Sequence, residues 1–296
     1  MRRTYLWALA LVVVAALSIA LLTTFRVPEE GMSEREGLTV VSTFTSLVPD
    51  IEQLTEPGDK VIGLTPEGVD PHEYQLTPRD VSLLRSASII VSTGHAPFEA
   101  RIRELAERGE LKALLIEVPE VPGLVLKRNP VLGTPNYHMP IYDPENYKAF
   151  MRYLAVKMGE LRPGEKERYL LKYREIAREI DEIARSTPRL NMTAVALTPL
   201  IQYAVEWTGI KVKYLLVKEH EAPLTPEDIA RIERAAEKGL INLAVTLKLD
   251  KVAPASEKLK EIALKYSLKI IEVPSPLEKK TIIKKLQEIA NQIKLP

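Results

Sequence analysis

The sequence predicts an α/β protein of two lobes, each a four-stranded parallel sheet with flanking helices. A long rigid helix bridges the lobes, and an N-terminal membrane-anchor helix precedes them. Three observations predict this. Short apolar runs alternate with amphipathic helical patterns in both halves of the chain, the pattern of a parallel sheet covered on both faces. A long stretch of helical periodicity separates the halves. The N-terminus is a nearly unbroken apolar run behind two arginines.

Residues 1–26 read as a signal peptide or transmembrane anchor. Arg2-Arg3 precede an apolar run from Leu6 to Leu22 broken only by Ser18. With its flanks it approaches the roughly 20 residues that span a bilayer as a helix. The arginines predict the N-terminus inside and the body outside. A retained anchor is preferred, because apolar residues continue past the poor cleavage candidate Ala16-Leu17-Ser18. Residues 27–37, with Pro28, Gly31 and Gly37, read as a linker.

Residues 38–143 form the N-terminal lobe. Strands are expected at Leu38–Phe44, Lys60–Leu64, Ser88–Thr93 and Leu111–Val118, with helices at Ser46–Leu54, Pro78–Arg85 and Pro97–Arg108. Thr77 has the character of an N-cap, with Pro78 at the first helical position and Asp80 three residues after the cap. The Pro-, Gly- and Asn-rich loop from Pro119 to Tyr142 is long for a structural connection, which marks it as functional.

Linking helices occupy 144–188. Asp143 caps a helix over Pro144–Met158, and Leu161-Arg162-Pro163-Gly164 interrupts it. Glu165–Ser186 resumes with an apolar stripe that includes Tyr169, Tyr173, Ile176, Ile180 and Ile183. The C-terminal lobe, 189–296, repeats the alternation. Its strands are Ala194–Leu197, Val212–Val217, Leu243–Leu247 and Lys269–Val273. Its helices are Pro199–Trp207, the one opened by Thr225-Pro226-Glu227-Asp228 and ended by Gly239, Ser256–Tyr266 and Leu277–Ile293. Ligands of such sheets bind outside the carboxyl ends of strands, so the default site is the cleft between lobes.

Composition narrows the function. With 41 basic and 40 acidic residues and 6% aromatics, no field or stacking surface suits nucleic acid. No cysteine exists, which removes disulfides, thiolate metal sites, cysteine catalysis and a lipid anchor on cysteine. No His-Glu-x-x-His, Gly-x-Ser-x-Gly or P-loop occurs, so the chain is not expected to be an enzyme. An extracellular metallohydrolase remains the lesser reading, since three histidines with an open coordination position can activate water.

The four histidines, His72, His95, His138 and His220, all lie at strand exits or in loops beyond them. Neutral imidazole is the commonest metal ligand. A shared cation site and four separate solvated loop histidines both remain open on placement alone.

Val69-Asp70-Pro71-His72-Glu73-Tyr74, followed by Thr77-Pro78-Arg79-Asp80, resembles the signature of the zinc/manganese ABC-transporter substrate-binding family, the cluster A metal solute-binding proteins. His138 followed by Asp143-Pro144-Glu145-Asn146 resembles that family's second ligand motif. The resemblance runs in order over roughly 38–293. It implies a monomeric, extracytoplasmic protein, membrane-anchored or secreted if the N-terminal segment is cleaved. Its role would be to capture a divalent transition metal and deliver it to an ABC permease. It also implies His72 and His138 as first-lobe ligands. Histidine-rich ligation favours Zn²⁺, with Mn²⁺ second.

The sequence departs from the family in its second half. The ligand position there falls at Thr198, and the closing acidic position falls near Leu247 or Pro274. The spacing from His138 to Asp143 is one residue longer than usual, with Pro140 where an aromatic is usual. His95 from the first lobe, and His220 and Glu221 from the second, are candidate substitutes, although the Lys218-Glu219-His220-Glu221 loop resembles a variable loop of that family and reads as solvated. Glu73 is a candidate to orient an imidazole, and Glu206 reads as an exposed helix-face residue. The alternative is a degenerate family member that serves as adhesin or scaffold, or that binds a non-metal solute. Convergence of the His72, His95 and His138 imidazoles discriminates the two.

Overall fold

Among the residues described by the computed structural model (37–67, 69, 71–219, 223–248 and 253–294), eight strands form two four-stranded sheets. The first contains β1 (Thr39–Phe44), β2 (Lys60–Thr65), β3 (Ile89–Ser92) and β4 (Leu114–Glu117), in the order β2-β1-β3-β4. The second contains β5 (Thr193–Ala196), β6 (Lys211–Leu215), β7 (Leu243–Lys248) and β8 (Lys269–Pro274), in the order β6-β5-β7-β8. Every pairing is parallel; Val41, for example, lies beside both Ile62 and Ile90. The central strands are buried on both faces, which explains their unbroken apolar runs.

Strand order reverses between β1 and β3 in one sheet and between β5 and β7 in the other. A crevice opens at the carboxyl ends of strands at such a reversal. At the first reversal Phe44 ends β1 and His95 follows β3; at the second Thr198 follows β5 and Leu247 lies at the carboxyl end of β7. All four line one cavity, so the two switch points face each other.

The helices are α1 (Val48–Glu52), α2 (Pro78–Ser86), α3 (Pro97–Glu107), α4 (Pro144–Leu161), α5 (Lys166–Ser186), α6 (Ile201–Val205), α7 (Pro226–Glu237), α8 (Pro254–Lys265) and α9 (Ile282–Lys294). α2 and α7 both open on a Thr-Pro-x-Asp capping box, in which threonine oxygen and aspartate carboxylate satisfy each other's backbone N–H. The long bridge is α5, with α4 packed along it and Lys148 of α4 bonded to Asp181 of α5. Gly63 of β2 is obligatory: a Cβ there would lie 2.1 Å from Thr45 Oγ1 and 2.7 Å from Thr45 Cα.

Several boundaries differ from the sequence expectation. The helix expected over Pro199–Trp207 is the short α6 followed by a 3₁₀ turn over Glu206–Thr208. The last helix starts at Ile282 rather than Leu277, because Pro274 and Pro276 break the chain into turns first. The anchor at 1–26 and the linker up to residue 36 lie outside the described residues. Among the described residues no helix is long and apolar enough to cross a membrane.

Candidate metal centre

Three loops of the first lobe each deliver one imidazole. The loop after β2 carries His72 behind the buried, rigid Pro71. Its return into α2 is pinned by Tyr74, whose hydroxyl donates to Asp80 Oδ2 at 2.8 Å and whose ring meets Phe98 edge-on at 5.2 Å. The same Asp80 oxygen accepts from Thr77 N at 2.7 Å, so the capping box of α2 also holds the His72 loop.

His95 follows β3 through Gly94, whose φ of +79° suits glycine. Beneath it the buried Glu99 carboxylate collects six donors. Three are the backbone N–H groups of Thr93, His95 and Ala96, and three are the hydroxyls of Thr43, Ser92 and Thr93. The Thr93 hydroxyl hydrogen therefore goes to Glu99 at 2.7 Å. Its oxygen is left to accept from His95 Nδ1 at 3.2 Å. This fixes the Nδ1–H tautomer and makes Nε2 the acceptor nitrogen of His95.

His138 sits near the end of the long loop, next to Met139 in a left-handed conformation (φ 48°). Asn136 orients it. The Asn136 amide nitrogen donates to Pro199 O at 2.9 Å and Gln202 Oε1 at 3.1 Å. Its Oδ1 must then accept, and it receives His138 Nδ1 and His138 N, each at 3.1 Å. Tyr203 of α6 anchors the same loop by donating to Asn136 O at 2.6 Å and accepting from Lys127 N at 2.8 Å. A second-lobe helix thus positions a first-lobe imidazole.

The three rings form a row. The His72 and His95 centroids lie 5.1 Å apart, and the His95 and His138 centroids 5.2 Å apart. All three line a cavity of about 220 Å³ whose other wall includes Thr198, Val217, Leu247 and Leu277. His138 Nε2 also meets Glu219 Oε1 at 2.7 Å. Among the described residues no group of three or more His, Asp or Glu side chains already stands in place around a single ion. The rings are neighbours, but their nitrogens do not converge on one ion position. Three imidazoles with one carboxylate nearby match a zinc site in donor type.

The second-lobe positions are as poor in ligands as the sequence indicates. Leu247 presents only hydrocarbon, and Pro274 uses its carbonyl to accept from the Tyr142 hydroxyl at 2.6 Å. Thr198 offers a hydroxyl whose buried oxygen has no hydrogen-bond partner among the described residues. His220 and Glu221 lie outside the described residues. Glu73 is exposed. Glu206 corrects the helix-face reading: it pairs with Lys127 at 3.0 Å and accepts from Val212 N at 3.3 Å, so it helps hold the long loop. Sequence reasoning missed Glu219, Asn136 and the Glu99 cradle. Only Glu99 left a signal, as a glutamate two residues after the helix-opening Pro97.

A model of the family described as zinc-uptake complex component A, periplasmic, matches residues 40–294. The manganese ABC transporter substrate-binding lipoprotein of Streptococcus mitis is 24% identical over 228 residues, covering 72% of this chain and 73% of that protein. A mutant structure of the laminin-binding adhesin of Streptococcus agalactiae aligns with a TM-score of 0.70 at 20% identity, over 87% of this chain and 98% of that one. The substrate-binding protein FpvC of Pseudomonas aeruginosa, in complex with Mn²⁺, aligns with a TM-score of 0.70 at 15% identity, again over 87% and 98%. At these identities the two solved structures establish a shared fold.

Proposed function

The chain belongs to the periplasmic zinc-uptake complex component A family, and from that membership we propose that it is an extracytoplasmic metal-capture protein. It takes up one divalent transition-metal ion, Zn²⁺ ahead of Mn²⁺, in the cleft between its lobes and delivers it to an ABC permease. The observation that carries this reading is the row of His72, His95 and His138, brought from three separate loops to one cavity. Two of these rings have Nδ1 engaged by an acceptor that is itself held in place, which leaves Nε2 for the metal. Imidazole donors favour zinc over manganese.

The cargo leaves unchanged, so no turnover is expected. We further propose that 1–26 anchors the chain to the membrane and 27–37 tethers a monomeric body. That body divides into lobes 38–143 and 189–296 around linking helices 144–188. Calorimetric titration of the protein from Gly37 onward with Zn²⁺, and separately with Mn²⁺, tests the reading. Saturable 1:1 uptake, tighter for Zn²⁺, is expected; absence of uptake of both ions refutes it. The bare Thr198 and Leu247 positions favour a second reading, in which the chain is an adhesin or scaffold and ignores both ions.

A further inference from the structure

We propose that Glu219 is the second lobe's metal ligand, supplied from the β6–α7 loop in place of the donor missing at Thr198. The proposal rests on the metal-capture reading above and names the residue that completes its site.

The first observation is the contact between His138 Nε2 and Glu219 Oε1 at 2.7 Å. Asn136 takes the Nδ1 hydrogen, and its own amide is fixed by Pro199 and Gln202. In the neutral ring the Nε2 lone pair then faces a carboxylate. Two acceptors at this distance repel unless a proton or a metal ion lies between them. Two ligands bonded at 2.0–2.1 Å to a tetrahedral zinc stand roughly 3.3 Å apart. Opening the pair by about half an ångström therefore makes both atoms ligands of one ion.

The second observation is how the loop is held. Lys218, the residue before Glu219, is clamped on two sides. Its Nζ pairs with Asp228 Oδ1 of the α7 capping box at 2.8 Å. Its carbonyl accepts from Asn129 Nδ2 of the long first-lobe loop, also at 2.8 Å. Val217, one residue earlier, lines the cavity. The stretch is thus fixed to both lobes at the cleft, and the glutamate inherits that placement. Such backbone support is what a pre-aimed ligand needs.

The third observation is the lining itself. Among the described residues the second lobe lines the cavity with Thr198, Pro199, Leu200, Val217, Leu247 and the Ser275–Leu277 turn, none of which carries an imidazole or carboxylate. Glu219 adds one hard, charged oxygen to the three imidazoles. The resulting three-nitrogen, one-oxygen set suits tetrahedral zinc better than the oxygen-rich shell of manganese.

The test uses the full-length chain in detergent, titrated with Zn²⁺ by calorimetry and with Co²⁺ as a spectroscopic probe. Glu219→Ala is expected to weaken Zn²⁺ binding by about 100-fold or more. It should also change the visible Co²⁺ bands, whose intensity reports coordination number. Glu219→Gln should fall between the two, and Glu227→Gln, on the exposed side of α7, should leave both readouts unchanged. Wild-type affinity and Co²⁺ spectrum in Glu219→Ala would overturn the proposal while leaving metal capture intact. The same holds if Glu221→Ala, rather than Glu219→Ala, produces the loss. Failure of the wild type to take either ion would bring down the function and this assignment together.

Discussion

His95 owes its orientation to the buried carboxylate of Glu99. Glu99 takes the Thr93 hydroxyl hydrogen, and Thr93 in turn accepts from His95 Nδ1. Thr93→Val keeps the shape but removes that acceptor. It should weaken Zn²⁺ binding by about 10–100-fold, the usual effect of losing an orienting partner, measured by competition with a chromophoric chelator. His72→Ala and His138→Ala should each cost more, about 100-fold or above by calorimetry, with far-UV dichroism unchanged because loop ligands contribute little core. His72 and His138 were legible in the sequence because a short motif surrounds each, and His95 because it directly follows a strand. Asn136 and Glu219 were not legible. Asn136 works through Pro199, 63 positions away. Glu219 lies in a loop, where no periodicity marks its side chain as one that meets His138.

Among the elements, α1 and α9 illustrate how a long-range contact sets a helix boundary. The fully buried Asp50 accepts from Tyr147 Oη at 2.7 Å and from Ile282 N at 2.8 Å. It thereby caps α9 from 232 positions away, which no local reading of Leu277–Ile293 could supply. The strands, by contrast, were legible within a few residues, because burial on both faces leaves apolar runs bounded by turns. Burial pushes the Asp50 carboxyl up to about 6, against the opposing pull of Tyr147, Ile282 N and the Lys285 charge. Burial likewise brings Lys285 down to about 8. The signs follow from linkage. A carboxyl raised from 3.8 to about 6 stabilises the folded state below its unfolded value, and that stability is lost as pH rises through 6. An ammonium lowered to about 8 costs stability below 8 and is relieved as pH rises towards its unfolded value. Asp50→Asn removes the first effect. Urea unfolding of metal-free protein at pH 4.5 and 7 should therefore show wild type losing on the order of 2 kcal/mol relative to the variant between those values.

At the scale of the whole molecule, two sheets of identical strand order bring their switch points to opposite sides of one cavity. Several bonds cross from one sheet's territory to the other: Tyr142 to Pro274, Ile282 to Asp50, Asn129 to Lys218 and Lys279 to Glu67. With α4 and α5 packed together as well, large hinge opening would break many contacts at once, so capture should proceed by side-chain aiming and small closure. Metal binding then acts on stability mainly through mass action. An ion that binds only the folded chain adds about 2.7 kcal/mol at a free concentration of 100 Kd. For a body of this size that corresponds to a rise in Tm of roughly 5–10 °C. Differential scanning calorimetry with Zn²⁺ should show this rise in the wild type, its reversal by a chelator, and its absence in His138→Ala at the same zinc concentration. An equal rise in His138→Ala would place the ion elsewhere on the molecule, because a site without that imidazole should be far from saturated at a concentration that fills the intact one.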